Sequence, residues 1–312
     1  MSVRRERELQ GDGIRLIVEG EWTAAAQREA AAGGFDVLEL QRGRQKDFSF
    51  LPALGDRLPA LWINCESDAS NGLEELTQLP ALTLSFPLRK PFDFRRLAGL
   101  RRLRVEAWLP WYADTLFAHP TLQALHIEAY DGSDCAAFAA MPSLTSLSLA
   151  KGKLKTLAPL PSSPSLRELR LSHLRALSSV EEVRQLPLLQ QLVLGEGLAG
   201  VKDVSPVFGS EKLEVLAIVG TAAEVAETGW LRRMPRLREL RLQSGVKPGD
   251  WADFFASTAL RKLAVVLSEP SSESDQQIEA LARAAGHRMR ELVRFGTKKR
   301  PALLIELDPA GA

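Results

Sequence analysis

The sequence predicts an α/β solenoid in which each repeat adds one strand to a parallel sheet and returns through a short helical turn. Two observations support this fold class. The 312-residue chain contains 52 Leu but only 7 Ile, a bias which indicates that one packing environment recurs many times. A six-residue pattern with apolar first, fourth and sixth positions recurs eleven times, at intervals of 21 to 24 residues. Constant spacing keeps the apolar side chains of successive coils in register, as a solenoid requires.

The eleven copies of the pattern are the predicted strands. Of their 33 apolar anchor positions 27 are Leu. The fourth and sixth positions share one face of a strand, and the residues between them face the other way. In chain order the copies are FDVLEL at Phe35, LPALWI at Leu58, LPALTL at Leu79, LRRLRV at Leu100, LQALHI at Leu122, LTSLSL at Leu144, LRELRL at Leu166, LQQLVL at Leu189, LEVLAI at Leu213, LRELRL at Leu237 and LRKLAV at Leu260.

The segments between these strands have apolar residues three or four apart, and most begin near Asp, Ser, Thr or Glu. This spacing predicts short helices or helical turns with N-terminal caps. The segment LKTLAPLPSSPSL from Leu154 contains three prolines, and we expect an extended or 3₁₀ coil there instead.

Both ends of the chain are predicted to cap the solenoid, whose terminal apolar faces need cover. In residues 1–34, GIRLIVEGEW alternates like a strand and TAAAQREAAAGG indicates a helix ended by Gly33 and Gly34. The repeats are predicted to occupy 35–268. In residues 269–312 we expect one helix, DQQIEALARAAGHRMRELVRF, and a closing strand, PALLIEL. The predicted helix face carries Ile278, Leu281, Ala285, Met289 and Leu292.

These repeats resemble those of leucine-rich repeat proteins, over about three quarters of the chain. Their length is similar to that of the short bacterial or SDS22-like classes. The resemblance implies a right-handed α/β superhelix with its parallel sheet on the concave face and short helices or 3₁₀ turns on the convex face. The family usually has Asn or Cys three residues after the last Leu, and this chain departs from that pattern. It has instead Pro87, Trp108, Tyr130, Gly152, Leu174, Gly197, Thr221, Gly245 and Ser268.

Composition and motifs limit the possible functions. The net charge of +1 gives no general attraction to nucleic acid or to an anionic membrane, and no apolar run is long enough to span a bilayer. The charged start MSVRRERELQGDG and the presence of only two cysteines, Cys65 and Cys135, favour a cytoplasmic protein. We expect both thiols to be buried and structural. The four histidines lack metal-ligand spacing and no catalytic motif is present, so we predict no metal, no cofactor and no enzymatic activity.

Outward-facing strand residues are the candidate binding site, because they form an open surface on a rigid scaffold. The early repeats carry polar and aromatic residues at these positions, the kind that interfaces concentrate at their energetic centres. The predicted patch is Trp62, Arg104, Glu106, His126, Glu128, Trp108 and Tyr130. Trp108 and Tyr130 have an alternative interpretation, since they replace the usual Asn and could stack as core. Phe86, Trp111 and Tyr112 are expected at the same edge.

Two other surfaces remain open alternatives. The outward residues from Val193 to Val219 are small and apolar and form a second candidate surface. A basic group lies near the end of the chain and is expected to be a solvated cap helix; it consists of Arg288, Arg290, Arg294, Lys298, Lys299 and Arg300.

The resulting hypothesis is a protein-interaction module that binds another protein through its concave face, as a monomer or weak oligomer. The composition of the chain, which is rich in Arg and Ala and poor in Lys, favours a bacterial source. The roles left open are a translocated effector, a toxin-immunity protein and an adaptor. The competing hypothesis is an enzyme with a polar site at His126, Glu128 and Glu106, supported by Arg104.

Overall fold

The computed structural model describes residues 2–7, 13–221, 223, 225, 228–246, 251–267, 274–297 and 300–308. The chain divides into two compact units. One takes in residues 1–131 and 140–148, and the other takes in residues 132–139 and 149–312. Within the described ranges, no helix has the length and apolar character that crossing a bilayer needs.

The described residues form fifteen strands. They are β1 (Ser2–Arg7), β2 (Ile14–Glu19), β3 (Val37–Gln45), β4 (Leu61–Ser67), β5 (Ala81–Leu84), β6 (Arg102–Val105), β7 (Ala124–Glu128), β8 (Ser146–Ala150), β9 (Glu168–Ser172), β10 (Gln191–Leu194), β11 (Val215–Ile218), β12 (Glu239–Val246), β13 (Lys262–Leu267), β14 (Arg288–Thr297) and β15 (Arg300–Asp308). The eleven predicted repeat strands are therefore all present, as β3 to β13.

Short helices connect the strands. The α-helices are α1 (Ala24–Ala31), α2 (Ala113–Leu116), α3 (Ala136–Ala139), α4 (Trp251–Ala256) and α5 (Asp275–Ala284). The 3₁₀ helices are Pro52–Arg57, Leu73–Glu75, Phe94–Arg96, Pro110–Tyr112, Leu160–Ser162, Glu181–Gln185, Ser205–Val207 and Gly229–Arg233. Most repeats thus return through a single 3₁₀ turn. The proline-rich segment after Leu154 does so as well, as predicted.

In the first unit, β1 pairs antiparallel with β2, and β2 to β7 then pair in parallel in chain order. In the second unit, β9 to β13 pair in parallel in chain order, and β15 and then β14 continue the sheet antiparallel. Strand β8 contributes residues 146–148 to the first unit and 149–150 to the second.

The repeated anchor positions form the core. Every one of the 33 is buried, with no more than 8% of its surface exposed. A buried Leu side chain contributes on the order of 1.5–3 kcal/mol through its removal from water. The same packing position therefore stabilises each repeat in turn, which explains why one aliphatic residue dominates the composition.

Backbone hydrogen bonds between repeats stabilise the turns that follow β8 and β9, where the usual Asn is missing. Ala129, Lys151, His173 and Gly220 occupy equivalent positions and all have a positive φ, between 52° and 80°. The amide of Lys151 donates to the carbonyl of Ser172 at 3.2 Å, and that of His173 donates to Glu196 at 2.5 Å. These bonds satisfy donors that would otherwise be left unpaired.

The amino-terminal elements include one strand that the sequence pattern did not predict. The expected strand is β2, and the expected helix is α1, capped by the Thr23 hydroxyl, which accepts from the Ala26 amide at 3.2 Å. Strand β1 (SVRRER) was not expected, because it has no apolar alternation. It is held partly by polar contacts, including Arg4 with Glu19 at 2.7 Å.

The carboxyl-terminal helix is shorter than predicted, and the expectation of one helix from Asp275 to Phe295 is wrong. Helix α5 ends at Ala284, followed by Gly286 at φ 85°, a conformation that a helix cannot continue through. The remaining residues form β14, which pairs with the correctly predicted closing strand β15. Met289 and Leu292 consequently lie on a strand, while only Ile278 and Ala282 of α5 are buried. The three-part boundaries at 34 and 268 stay a prediction.

Candidate functional site

A row of outward-facing side chains crosses the strands of the first unit. Register pairs Glu39 with Trp62, Trp62 with Thr83, Thr83 with Arg104, and Arg104 with His126. These five residues are called the strand-face row. They face outward because the anchor residues on either side of each of them point into the core.

At one end of the row, Arg104 and His126 form a polar group with two carboxylates outside the row, Glu106 and Glu128. Arg104 Nε donates to Glu106 Oε1 at 2.6 Å, and Arg104 Nη2 lies 3.8 Å from Glu128 Oε1. His126 Nε2 lies 3.7 Å from the same Glu128 oxygen, and His126 Nδ1 is 2.8 Å from the Ser148 hydroxyl. The structure thus brings together Arg104, Glu106, His126 and Glu128, which the sequence placed in one patch.

Ser85 joins this group to Trp62. The Trp62 indole Nε1 donates to Ser85 Oγ at 2.7 Å, and Ser85 in turn interacts with the Glu106 carboxylate and lowers its pKa. Contacts therefore run without a break from Trp62 on β4, through Glu106 after β6, to His126 on β7. Ser85 carries the first part of this connection and Ser148 extends it beyond His126. Neither serine belonged to the predicted patch.

The surroundings set the charges of the two titrating groups at the centre. Burial acts to raise the pKa of Glu106, but hydrogen bonds from Ser85 and Arg104 outweigh it and the pKa is lowered. The pKa of His126 is also lowered, chiefly by burial and then by the positive charge of Arg104, against the opposing effect of Glu128. Near neutral pH, Glu106 is therefore a carboxylate and the His126 imidazole is uncharged.

The other end of the row is fixed by a residue outside the repeats. The Arg15 guanidinium carbon lies 5.6 Å from the centre of the Trp62 ring, a cation–π geometry. Arg15 Nη1 also donates to Glu39 Oε2 at 3.0 Å, and Asn64 Nδ2 donates to Glu39 Oε1 at 3.2 Å. Glu39 faces outward by register but is only 1% exposed, because these neighbours cover it. The role of Arg15 was missed because its register with the repeats could not be read from the sequence.

Trp108 and Tyr130 lie in the core, which answers the question that the sequence left open. Their exposed fractions are 9% and 8%. The two rings meet edge to face with centroids 5.5 Å apart, and Phe117 packs against both. Trp108 Nε1 donates to Asp131 Oδ1 at 2.6 Å. These rings fill the place of the usual Asn with aromatic packing, and they offer little surface to a ligand.

The other three aromatic residues expected at this edge, Phe86, Trp111 and Tyr112, include one buried and two exposed side chains. Tyr112 is fully buried, and its hydroxyl accepts from the Leu88 amide at 2.7 Å. Burial raises the pKa of Tyr112 to about 12. Phe86 and Trp111 are 39% and 44% exposed. Of this group, therefore, only these two have substantial exposed ring surface.

Both cysteines are buried, as the sequence predicted. Burial raises the pKa of Cys65 to about 12, and burial together with nearby carboxylates does the same for Cys135. Neither thiol is therefore a nucleophile at neutral pH. In the described part of the chain, no three His, Cys, Asp or Glu side chains are grouped so that they could hold a metal ion.

Comparison with known proteins identifies the fold. No protein-family model and no curated protein matches the sequence. The structure is similar to the crystal structure of an internalin, inlF, from Listeria monocytogenes, with 17% identity and a TM-score of 0.54 over 86% of this chain and 84% of that one. The chain has a leucine-rich-repeat fold.

Two further structures were found at lower similarity. The plant peptide hormone receptor RGFR1 in complex with RGF2 has 14% identity and a TM-score of 0.42, over 82% of this chain and 47% of that one. A complex of TLR13 with ssRNA13 has 16% identity and a TM-score of 0.40, over 79% of this chain and 35% of that one.

The second unit of the leucine-rich-repeat fold contains the small apolar surface. Val193, Gly195 and Val219 are half-buried, and Ala217 is only 5% exposed although it faces outward. Exposed Arg170 and Arg241 lie on either side of this stretch in the same row. Little apolar surface is therefore accessible between Val193 and Val219.

Three of the basic residues near the end of the chain, Arg288, Arg290 and Arg294, lie on β14 rather than on the expected helix. Arg288 and Arg290 lie 3.8 Å and 3.5 Å from Asp308, and Arg294 donates to Asp275 at 2.6 Å. Three of the basic side chains thus have carboxylate partners. Lys298, Lys299 and the Arg300 side chain lie outside the described residues.

Proposed function

We propose that this chain is a non-enzymatic interaction module that binds a partner protein through the strand-face row and the two carboxylates beside it, Glu106 and Glu128. The proposed contact residues of the row itself are Trp62, Arg104 and His126. The observation that carries the proposal is the continuous set of contacts from Trp62 through Ser85, Glu106 and Arg104 to Glu128 and His126. Trp108 and Tyr130 support this surface as packed core.

The energetics of binding favour such a surface. Trp and Arg are over-represented among the residues that contribute most to interfaces. Ordering a flexible side chain on binding costs about 0.5–1.5 kcal/mol, and contacts that already order Trp62 and Arg104 reduce this cost. The Arg104 side chain keeps 45% of its surface exposed, so a partner carboxylate can still reach its guanidinium group.

We further propose that the chain is cytoplasmic and that its partner is a protein. The chain itself would be a monomer or a weak oligomer. The near-neutral charge favours a protein partner over nucleic acid or membrane, since both of those attract basic surfaces. Two free buried thiols without a disulfide suit a reducing compartment. A bacterial effector, an immunity protein and an adaptor all fit this description, and neighbouring genes would separate them.

Affinity capture from the native lysate tests the proposal. The baits are wild type, the patch variant Trp62→Ala with Arg104→Glu, and a control with Trp111→Ala and Arg184→Glu. The control also removes an exposed tryptophan and reverses an exposed arginine, but away from the row. All baits are first compared by circular dichroism and thermal melting. We expect wild type and control to capture the same protein and the patch variant to lose it, by about tenfold or more. Equal capture by all three baits would exclude the row as the binding surface.

A second candidate, a hydrolytic enzyme, has one observation in its favour. The Ser148 hydroxyl, the His126 ring and Glu128 are arranged in the order of a nucleophile, a base and an orienting acid. It ranks second because 3.7 Å between His126 Nε2 and Glu128 exceeds hydrogen-bond distance. A fluorophosphonate probe that labelled Ser148 in wild type but not in His126→Ala would favour the enzyme, and we expect no labelling.

A further inference from the structure

A cleft lined by arginines lies on the second unit, where strands β11, β12 and β13 begin. Its volume is about 310 Å³. The residues that line it are Glu214, Pro235, Arg236, Arg238, Ala259 and Arg261. None of them belongs to the strand-face row, and the protein-binding proposal does not use them.

Backbone pairing places three of these side chains next to each other. Glu214, Arg238 and Arg261 each immediately precede the strand of their repeat. The Arg238 amide donates to the Glu214 carbonyl at 2.8 Å, and the Arg261 amide donates to the Arg238 carbonyl at 2.7 Å. Neighbouring positions in a sheet are separated by about 4.8 Å, so both guanidinium groups can reach one small ligand.

The charges in the cleft are not balanced. Three arginines face one carboxylate, and that carboxylate, Glu214, is 4.0 Å from Arg238 Nη1. Arg236 makes no hydrogen bond or ion pair with the residues that the structure describes. By contrast, Arg104 in the strand-face row already contacts two carboxylates. The cleft therefore has an excess of about two positive charges.

One of the three arginines is held in a fixed position. Arg261 Nη1 donates to the carbonyls of Thr258 and Leu260 at 2.9 Å and 2.8 Å. These bonds use one end of the guanidinium group and leave its Nη2 available. A guanidinium group fixed in this way loses less conformational freedom when it binds an anion.

We propose that this arginine cleft binds a phosphate monoester. A phosphate monoester carries a charge of about −1.5 to −2 at pH 7, which matches the excess positive charge. Its oxygens accept the paired N–H donors of guanidinium groups in bidentate geometry. The phosphate can come from a free small molecule or from a phosphorylated side chain of a protein. Because the cleft is open to solvent, binding weakens as salt increases.

The proposal is tested by titrating the full chain with phenyl phosphate, and binding is measured by calorimetry or by NMR. The variant Arg236→Gln with Arg238→Gln removes two of the three cations. The matched control is Arg175→Gln with Arg184→Gln, two exposed arginines outside the cleft. We expect wild type and control to bind phenyl phosphate equally, and the cleft variant to bind about tenfold more weakly or worse.

Two further ligands complete the experiment. Benzoate, with one charge and a planar anion, is expected to bind at least about tenfold more weakly than phenyl phosphate. A phosphoserine peptide distinguishes the sources, because tighter binding than that of phenyl phosphate indicates a phosphorylated protein, and equal binding indicates a free phosphate ester. Failure of wild type to bind either phosphate ligand, or equal binding by wild type and the cleft variant, would overturn the proposal.

Discussion

Arg104 shows how one side chain of the strand-face row is placed by its neighbours. Its guanidinium group contacts Glu106 on the same segment and Glu128 on the next strand, yet 45% of its side chain stays exposed. Exposed ion pairs contribute only about 0–1 kcal/mol to stability. The main effect of these contacts is therefore to fix the orientation of Arg104, which matters more for the proposed binding than for folding.

The period-two alternation of the repeats was sufficient to identify the outward residues of this row. It did not identify their partners, because a hydrogen bond between strands depends on side-chain rotamers and on the exact register. Ser85 and Ser148 look like ordinary solvated positions in the sequence, and Arg15 lies outside the repeats. The burial of Glu39 has the same cause, since it results from neighbours on two other strands.

The protonation of His126 predicts a change of stability with pH. Its pKa is lower in the folded chain than its ordinary value of 6.5, because burial and Arg104 disfavour the charged form. As the pH decreases, His126 is therefore protonated in the unfolded chain before it is protonated in the folded chain. The free energy of unfolding falls as the pH decreases through about 6.5 towards the folded pKa. Glu106 and Glu128 face the ring and oppose this effect without reversing it.

Urea unfolding at pH 7.5 and at pH 5.5 measures this effect. Wild type is expected to be less stable at the lower pH, and His126→Asn to lose less stability over the same interval. One group contributes no more than about 1.4 kcal/mol per pH unit. His119, whose pKa is also lowered by burial, contributes equally to the pH dependence of stability in wild type and in His126→Asn. An identical pH dependence of the two proteins would show that the His126 pKa is unperturbed.

Within a single repeat, the apolar hexad determines the strand and its buried face. The predicted and observed strands agree in all eleven repeats, because their anchors alternate with period two and recur at constant spacing. The carboxyl-terminal segment shows where this reasoning fails. Its apolar residues fit a helical period from Ile278 to Leu292, but the positive φ of Gly286 and the pairing of β14 with β15 decide the structure. Pairing across a hairpin is not visible in local periodicity.

Substitution of Leu147 tests the register of the repeats. This residue of β8 is completely buried, whereas Ser146 beside it faces the other way and is partly exposed. Leu147→Ala is expected to lower the free energy of unfolding by about 2–5 kcal/mol, and Ser146→Ala to change it by about 0.5 kcal/mol or less. Leu147→Asp should prevent folding, because it buries a charge. Chemical denaturation measures all three, and similar losses for Leu147→Ala and Ser146→Ala would contradict the register.

The two compact units each contain one cysteine, which allows the folding of each to be followed. Cys65 lies in the first unit and Cys135 in the second, and both are at most 1% exposed. Because burial raises both pKa values to about 12, very few of these thiols are ionised at pH 8.

We expect a disulfide reagent such as DTNB to leave both thiols of the native chain unmodified for an hour at pH 8. In concentrated guanidinium chloride both should react within minutes. The single variants Cys65→Ser and Cys135→Ser assign the reaction to one unit each. Rapid reaction of either thiol without denaturant would show that the repeat around it is open in solution.

The repeats of the whole chain thus divide its residues into two classes. Anchor residues specify the scaffold, and they could be read from the sequence with few errors. Outward residues carry the proposed function, and their sequence shows that they face outward but not which of them stay exposed or what they bind. A binding partner is selected by the arrangement of several side chains on different strands, and no periodic pattern records that arrangement.

Photo-crosslinking in the native cell tests whether the strand-face row binds a protein. Thr83, which lies between Trp62 and Arg104 in the row, is replaced by benzoylphenylalanine, and the same residue is placed at Arg184 as a control. We predict a single protein adduct from position 83, its loss when Arg104→Glu is added, and no adduct from position 184. An adduct only from position 184, or one at position 83 that persists unchanged with Arg104→Glu, would contradict the binding role of the row.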